Sequence, residues 1–87
     1  MVDRERQKNV YIANFTFKEL SVTVGPLQYE IPPKFSAWGS QELGNSVSVA
    51  MQEFELPITR IEQTFECENY LTIECYEKDG MLRFDGF

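Results

Sequence analysis

Glu66, Glu68, Glu74 and Asp85, interleaved with Tyr76 and Arg83, are the side chains of this chain whose types and spacing could do chemistry. Carboxylates at every second position share one face of a strand. A row of them could hold a divalent cation, work as an acid and base pair, or form an acidic docking face. The rest of the composition decides among these. There is no histidine, which removes the Ser–His and Cys–His nucleophile pairs and the commonest proton carrier at neutral pH. The five glycines, at positions 25, 39, 44, 80 and 86, form neither a phosphate-cradling loop nor a dinucleotide fingerprint. Glycosidase-type carboxylate pairs need a cleft and two unlike environments, whereas this row reads as flat and uniform. The expectation is a protein that is not an enzyme and has no catalytic residues.

Neither a metal nor another cofactor is expected. Cations are wrapped by loops that supply carbonyl oxygens as well as carboxylates, and Glu77 and Asp79 at the Asp79-Gly80 turn lack the spacing of a calcium loop. Two cysteines without histidine fall short of a four-ligand zinc site. Cys67 and Cys75, one diagonal step apart on adjacent strands, are expected to stay reduced, because such neighbours lie roughly 7–8 Å apart.

Eight Lys and Arg against 14 Asp and Glu leave a net charge of -6 on 87 residues. The imbalance is local: residues 1–41 hold five bases and four acids, residues 42–87 three bases and ten acids. An acidic half disfavours direct nucleic-acid binding, which needs basic side chains to replace counterions, and favours a basic protein surface. The bland reading of the same charge is solubility. No apolar run is long enough for a membrane span, and with no apolar leader the expected compartment is the cytoplasm, or host cytoplasm for a viral product. The sequon Asn14-Phe15-Thr16 then reads as strand sequence rather than as a glycosylation acceptor.

The elements that must position the carboxylates read as short strands. Residues 10–17 place Tyr11, Ala13, Phe15 and Phe17 on one face, and residues 20–24 place Leu20, Val22 and Val24, which together suggest a hairpin turning at Lys18-Glu19. Lys-Glu is poor two-residue turn chemistry, since neither residue favours positive φ. Residues 27–31 form a third strand with Leu27, Tyr29 and Ile31 inward, stopped by Pro32-Pro33. The segment with Phe35, Ala37 and Trp38 then crosses between layers, and Trp38 plugs an end of the core. Residues 43–56 fit both periods. A strand carrying Val47, Val49 and Met51 is preferred, with a bulge near Gln52-Glu53 to bring Phe54 and Leu56 inward, while a short helix capped by Asn45 is the alternative.

In the last third, residues 63–68, 71–77 and 81–84 read as strands. The Asp79-Gly80 turn pairs Cys75 with Phe84 and Glu77 with Leu82. A three-residue loop at Asn69, Tyr70 and Leu71 pairs Cys67 with Ile73 and Phe65 with Cys75. On the other face this register sets Glu66 opposite Glu74, and Glu74 opposite Asp85. Directly opposed like charges are destabilising by a few tenths of a kcal/mol, a cost that invites a function.

The fold expected is mainly β: a small antiparallel sandwich or partly open barrel of six to seven short strands. Its variant is an α+β fold with one short helix at about 45–55 on an antiparallel sheet. Residues 1–9 read as a polar, flexible arm and residues 10–87 as a single β-rich domain. The function expected is a non-catalytic protein-interaction module, an inhibitor or adaptor that occupies a basic, nucleic-acid-handling surface of a larger partner. A viral or phage-type antagonist of a host enzyme is its concrete form by class analogy. Its docking residues are Glu66, Glu68, Glu74, Tyr76 and Asp85, with Glu53 and Glu55 beside them. The rival is a structural β-sandwich subunit of a virion, pilus or secretion assembly that works by strand-edge pairing or oligomerisation, favoured by an exposed apolar edge near residues 27–38; separately, the polar arm of one copy docking on the acidic half of a second would make a homo-oligomer. A third reading, a carbohydrate or lipid binder, uses Trp38 and Phe35 if their loop is exposed.

Overall fold

Strands form wherever small β-branched side chains alternate with polar ones, because only then can one face of a pleated segment be buried. Leu20, Val22 and Val24, then Val47, Val49 and Met51, then Leu71, Ile73 and Cys75 are three such series, and all nine side chains are buried. The computed structural model describes residues 7–44, 46–55, 60–66 and 68–87. These residues form eight strands: β1 (Gln7–Asn14), β2 (Leu20–Val24), β3 (Leu27–Ile31), β4 (Ser36–Glu42), β5 (Ser46–Glu53), β6 (Arg60–Glu66), β7 (Tyr70–Lys78) and β8 (Met81–Gly86). Two four-stranded sheets, ordered β4-β1-β7-β8 and β3-β2-β5-β6, pack face to face around one apolar core. The molecule is a β-sandwich and not a closed barrel. All neighbours are antiparallel except β1 and β7, which run parallel.

Strands β2 and β3 have the expected bounds, though in β3 only Ile31 is buried while Leu27, at the open strand end, is exposed; Pro32-Pro33 ends β3 where the chain leaves one sheet for the other. Residues 46–53 are strand, not helix. The β7–β8 hairpin has the expected register, Cys75 with Phe84 and Glu77 with Leu82. Asp79 and Gly80 both have positive φ, 54° and 75°, the conformation that the tight turn demands.

Five expectations are overturned. The hairpin at Lys18-Glu19 does not form: β1 lies in one sheet and β2 in the other, and residues 15–19 cross between them. The inward face of β1 is Val10 and Ile12, not Tyr11, Ala13, Phe15 and Phe17. Compact branched side chains fill the gap between sheets, which leaves Tyr11, Phe15 and Phe17 exposed on the opposite parity. Trp38 does not plug the core; it stands outward on β4 at 75% exposure, because Gly39 and Ala37 take the inward positions beside β3. No bulge interrupts β5, whose pairing with β2 stays regular to Leu20 opposite Glu53, so Phe54 lies past the strand end and is exposed. Finally, β6 does not pair with β7. It pairs with β5, Val47 opposite Phe65 and Met51 opposite Ile61, which sets Phe65 and Ile61 against the apolar core.

The first strand starts at Gln7, so Gln7, Lys8 and Asn9 belong to the sheet rather than to a polar arm. Lys8 is buried and its ammonium donates to the Glu68 carbonyl. Residues 1–6, Asn45, Leu56 and Cys67 lie outside the described residues, and with them the capping, parity and thiol-spacing expectations. No described residue is helical, and no helix is long and apolar enough to cross a membrane.

Candidate functional site

The outer face of the β4-β1-β7-β8 sheet collects the polar and aromatic side chains that the core rejects. Strand register lays it out in rows. Ser40, Asn9 and Tyr70 form one row, with the Ser40 hydroxyl donating to Asn9 Oδ1 at 2.6 Å. Trp38, Tyr11 and Thr72 form the next, continued by Phe87, whose backbone exchanges hydrogen bonds of 2.7 and 2.9 Å with Thr72. Ser36, Ala13, Glu74 and Asp85 form the third. Tyr76 and Arg83 follow, with Phe15 donating its backbone N–H to Cys75 beside them.

Glu74 and Asp85 are therefore opposed as expected, but Glu66 is not part of the row. It sits on β6 in the other sheet, opposite Ser46. Two carboxylates, not three, are juxtaposed, since the assumed β6–β7 pairing is absent. Tyr76 does stand beside them: its hydroxyl donates to Asp85, and that hydrogen bond, with partial burial and the carboxylate charge, holds the phenol above its ordinary range. Glu66 and Glu68 meet elsewhere, lining a depression with Asn69, Tyr70 and Phe87 at the strand ends. Glu53 and Glu55 lie at the opposite end of the sandwich, around a hollow of 420 Å³ lined also by Phe17, Lys18, Glu19 and Pro33. There Lys18 binds Glu53 at 2.9 Å and lies 3.9 Å from Glu77, so Glu53 is already engaged by a cation. Among the described residues no three carboxylate or thiol groups converge as a metal would require.

Of the aromatic residues of this face, the sequence offered Tyr76 as a docking residue and Trp38, with Phe35, as a contact only if exposed, which both are; Tyr11 and Tyr70 were missed. Trp38, Tyr11 and Tyr70 surround a shallow depression of 240 Å³, with Asn9 and Thr72 between them and no charged side chain among the described residues of its lining. Their exposures, 75%, 45% and 64%, are large for side chains of this size. Although Tyr11 and Trp38 are directly opposite, the one ring–ring contact among the described residues is Phe65 with Phe84 in the core. A readable signal was present: residues 9–17 carry apolar side chains on both parities, so one set had to face outward.

Beneath Glu74 and Tyr76, Cys75 points into the core, and burial pushes its thiol up to about 12. Below pH ~8.5 the thiol is protonated in both folded and unfolded chains; above it the unfolded chain loses the proton that the folded one keeps. Stability is thus expected to fall as pH rises from 8 to 10.5, by about 2 kcal/mol more in the wild type than in Cys75→Val. Denaturant titrations of both proteins at the two pH values check this, and parallel curves would refute it.

No protein-family model matches the chain, and no curated protein matches it.

Proposed function

We propose that the protein is a non-catalytic interaction module whose β4-β1-β7-β8 outer face occupies a basic surface of a larger protein partner, as an inhibitor or adaptor. The observation that carries this reading is the coincidence, on one sheet face, of the Glu74–Asp85 pair with exposed Trp38, Tyr11 and Tyr70. Aromatic anchors ringed by charge supply binding energy, while the carboxylates steer encounter and reject acidic surfaces. Glu66 and Glu68 extend the acidic surface past Tyr70, whereas Glu53 and Glu55 lie too far along the sandwich to join it. The concrete form remains an antagonist that masks a nucleic-acid-handling surface in the cytoplasm, by analogy of class.

A second reading, self-association into an assembly, draws on one observation. Strand β4 is a sheet edge, and the Asn14 N–H to Phe35 carbonyl bond of 2.9 Å sets its odd residues toward β1. Ser36, Trp38 and Ser40 therefore turn their backbone groups outward, with neither lysine nor proline in Ser36–Glu42 to guard them.

One experiment separates the two. The tagged protein is used to capture partners from a lysate at low salt, beside a Glu74→Lys/Asp85→Lys variant. The docking reading expects a basic protein that salt releases and that the variant retains about 10- to 100-fold less well. Retention indifferent to the reversal overturns it, and capture of further copies of the chain alone favours self-association.

A further inference from the structure

We infer that the depression between Trp38, Tyr11 and Tyr70 receives an arginine side chain presented by the partner's basic surface. The inference rests on the docking reading above and names the group that the face takes. Three exposed aromatic side chains border a hollow whose described lining carries no charge, and aromatic rings attract a cation to their faces. The described residues already use this chemistry once, between the two chain crossings at the other end of the sandwich. The Lys34 ammonium stands 4.1 Å from the Phe17 ring centroid while donating to the Phe15 carbonyl.

Charge around the hollow points the same way. Glu74 lies diagonal to Tyr11, one register step beyond Thr72, a distance of about 6.8 Å along the strand. Ala13, the neighbour of Glu74 in β1, is small and raises nothing between ring and carboxylate. On the far side Tyr70 also lines the depression of Glu66 and Glu68. Among the described residues, Arg83 and Lys78 stand on this face toward its opposite end, while Lys8 faces inward and gives its ammonium to the Glu68 carbonyl, just before Tyr70 in the chain. A cation over the rings would thus be flanked by carboxylates on two sides.

Arginine fits better than lysine. Its guanidinium is flat, stacks on aromatic faces, sheds water more readily and forks a carboxylate with two donors. A neutral sugar would use the rings and Asn9 but nothing of the surrounding charge, and a polyanion would be repelled by it.

Trp38 is the sole tryptophan of the chain, so its fluorescence reports on the hollow itself. The probes are a hexa-arginine peptide, its neutral hexa-citrulline isostere and maltohexaose, each titrated into the full chain. Hexa-arginine is expected to change Trp38 emission saturably and to lose the effect in high salt, with hexa-citrulline at least about 10-fold weaker. Tyr11→Ala and, as an independent variant, Tyr70→Ala are each expected to weaken the arginine peptide about 3- to 30-fold with their melting curves kept near wild type. Equal responses to arginine and citrulline, a response to maltohexaose alone, or a silent Trp38 overturns the inference. If hexa-arginine instead shifts the Glu74 and Asp85 amide resonances and leaves Trp38 unmoved, the arginine pocket fails and the acidic docking face stands. Loss of the docking reading is decided separately, by the charge-reversed variant in the capture experiment.

Discussion

Replacing Asn14 by alanine is expected to lower folding stability by about 3–5 kcal/mol, one of the two largest effects of any single side chain here. Asn14 is 1% exposed and makes use of both ends of its amide. Nδ2 donates to the carbonyls of Lys18, Ile31 and Pro32 at 2.7, 3.1 and 3.2 Å. Oδ1 accepts from the backbone N–H and the hydroxyl of Thr16 at 2.9 and 2.7 Å. These partners lie on both of the chain's first two crossings between sheets, residues 15–19 after β1 and residues 32–35 after β3. Alanine would strand several buried polar groups, each worth about 1–3 kcal/mol when left without a partner, and water would recover only those near the surface. Urea denaturation of the variant measures the loss. A change below about 1 kcal/mol would show that the crossings are held by packing alone. Because the amide is consumed in this way, the Asn14-Phe15-Thr16 sequon has no free acceptor in the folded protein.

The same residue explains why the beginning of the fold was misread. In β1 the outward series Tyr11, Ala13, Phe15 and Phe17 is more hydrophobic than the inward one, which continues from Val10 and Ile12 into Asn14 and Thr16. Polar side chains at inward positions argue against burial unless they satisfy one another, and here they do. Period-two alternation served well where only one parity is apolar, as in β2, and where turn chemistry is strong, as at Asp79-Gly80; in β3 it placed Ile31 inward but also Leu27, which is exposed. It failed between β6 and β7. There a short connection between two alternating segments reads as a hairpin, yet the strand pairs instead with the preceding one, and nothing in the local pattern distinguishes the two partners.

That failure reshapes the candidate site without dissolving it. The Glu74–Asp85 opposition depends on the Asp79-Gly80 turn alone and was readable. The placement of Trp38 and Tyr11 beside it depends on β1 joining β4 and β7, a contact between segments far apart in sequence, one of them parallel. Such pairings follow from which faces remain to be buried once all strands are in place, so a reading of one segment at a time does not reach them.

Phe84→Ala is expected to cost about 3–5 kcal/mol and to loosen β8 before any other strand. Phe84 is buried, and its ring meets Phe65 edge to face, centroids 5.9 Å apart and planes at 66°. That contact joins β8 to β6 of the other sheet, so it closes the sandwich along the side where the two edge strands lie. Gly86 seats the same ring: a Cβ there would stand 2.8 Å from Phe65. Losing the phenyl group removes a large share of what holds β8, the rest being its ladder to β7, the buried Leu82 side chain and the Gln63 amide donating to the Phe84 carbonyl at 3.3 Å. Since Asp85 and Arg83 ride on β8, the carboxylate pair with Glu74 should lose its fixed spacing as well. Amide hydrogen exchange distinguishes this from uniform destabilisation. The expected result is that residues 81–86 exchange through local opening while β2 and β5 keep the protection set by global unfolding. Equal loss of protection in every strand would place the Phe84 contact in the common core and leave the geometry of the acidic pair independent of it.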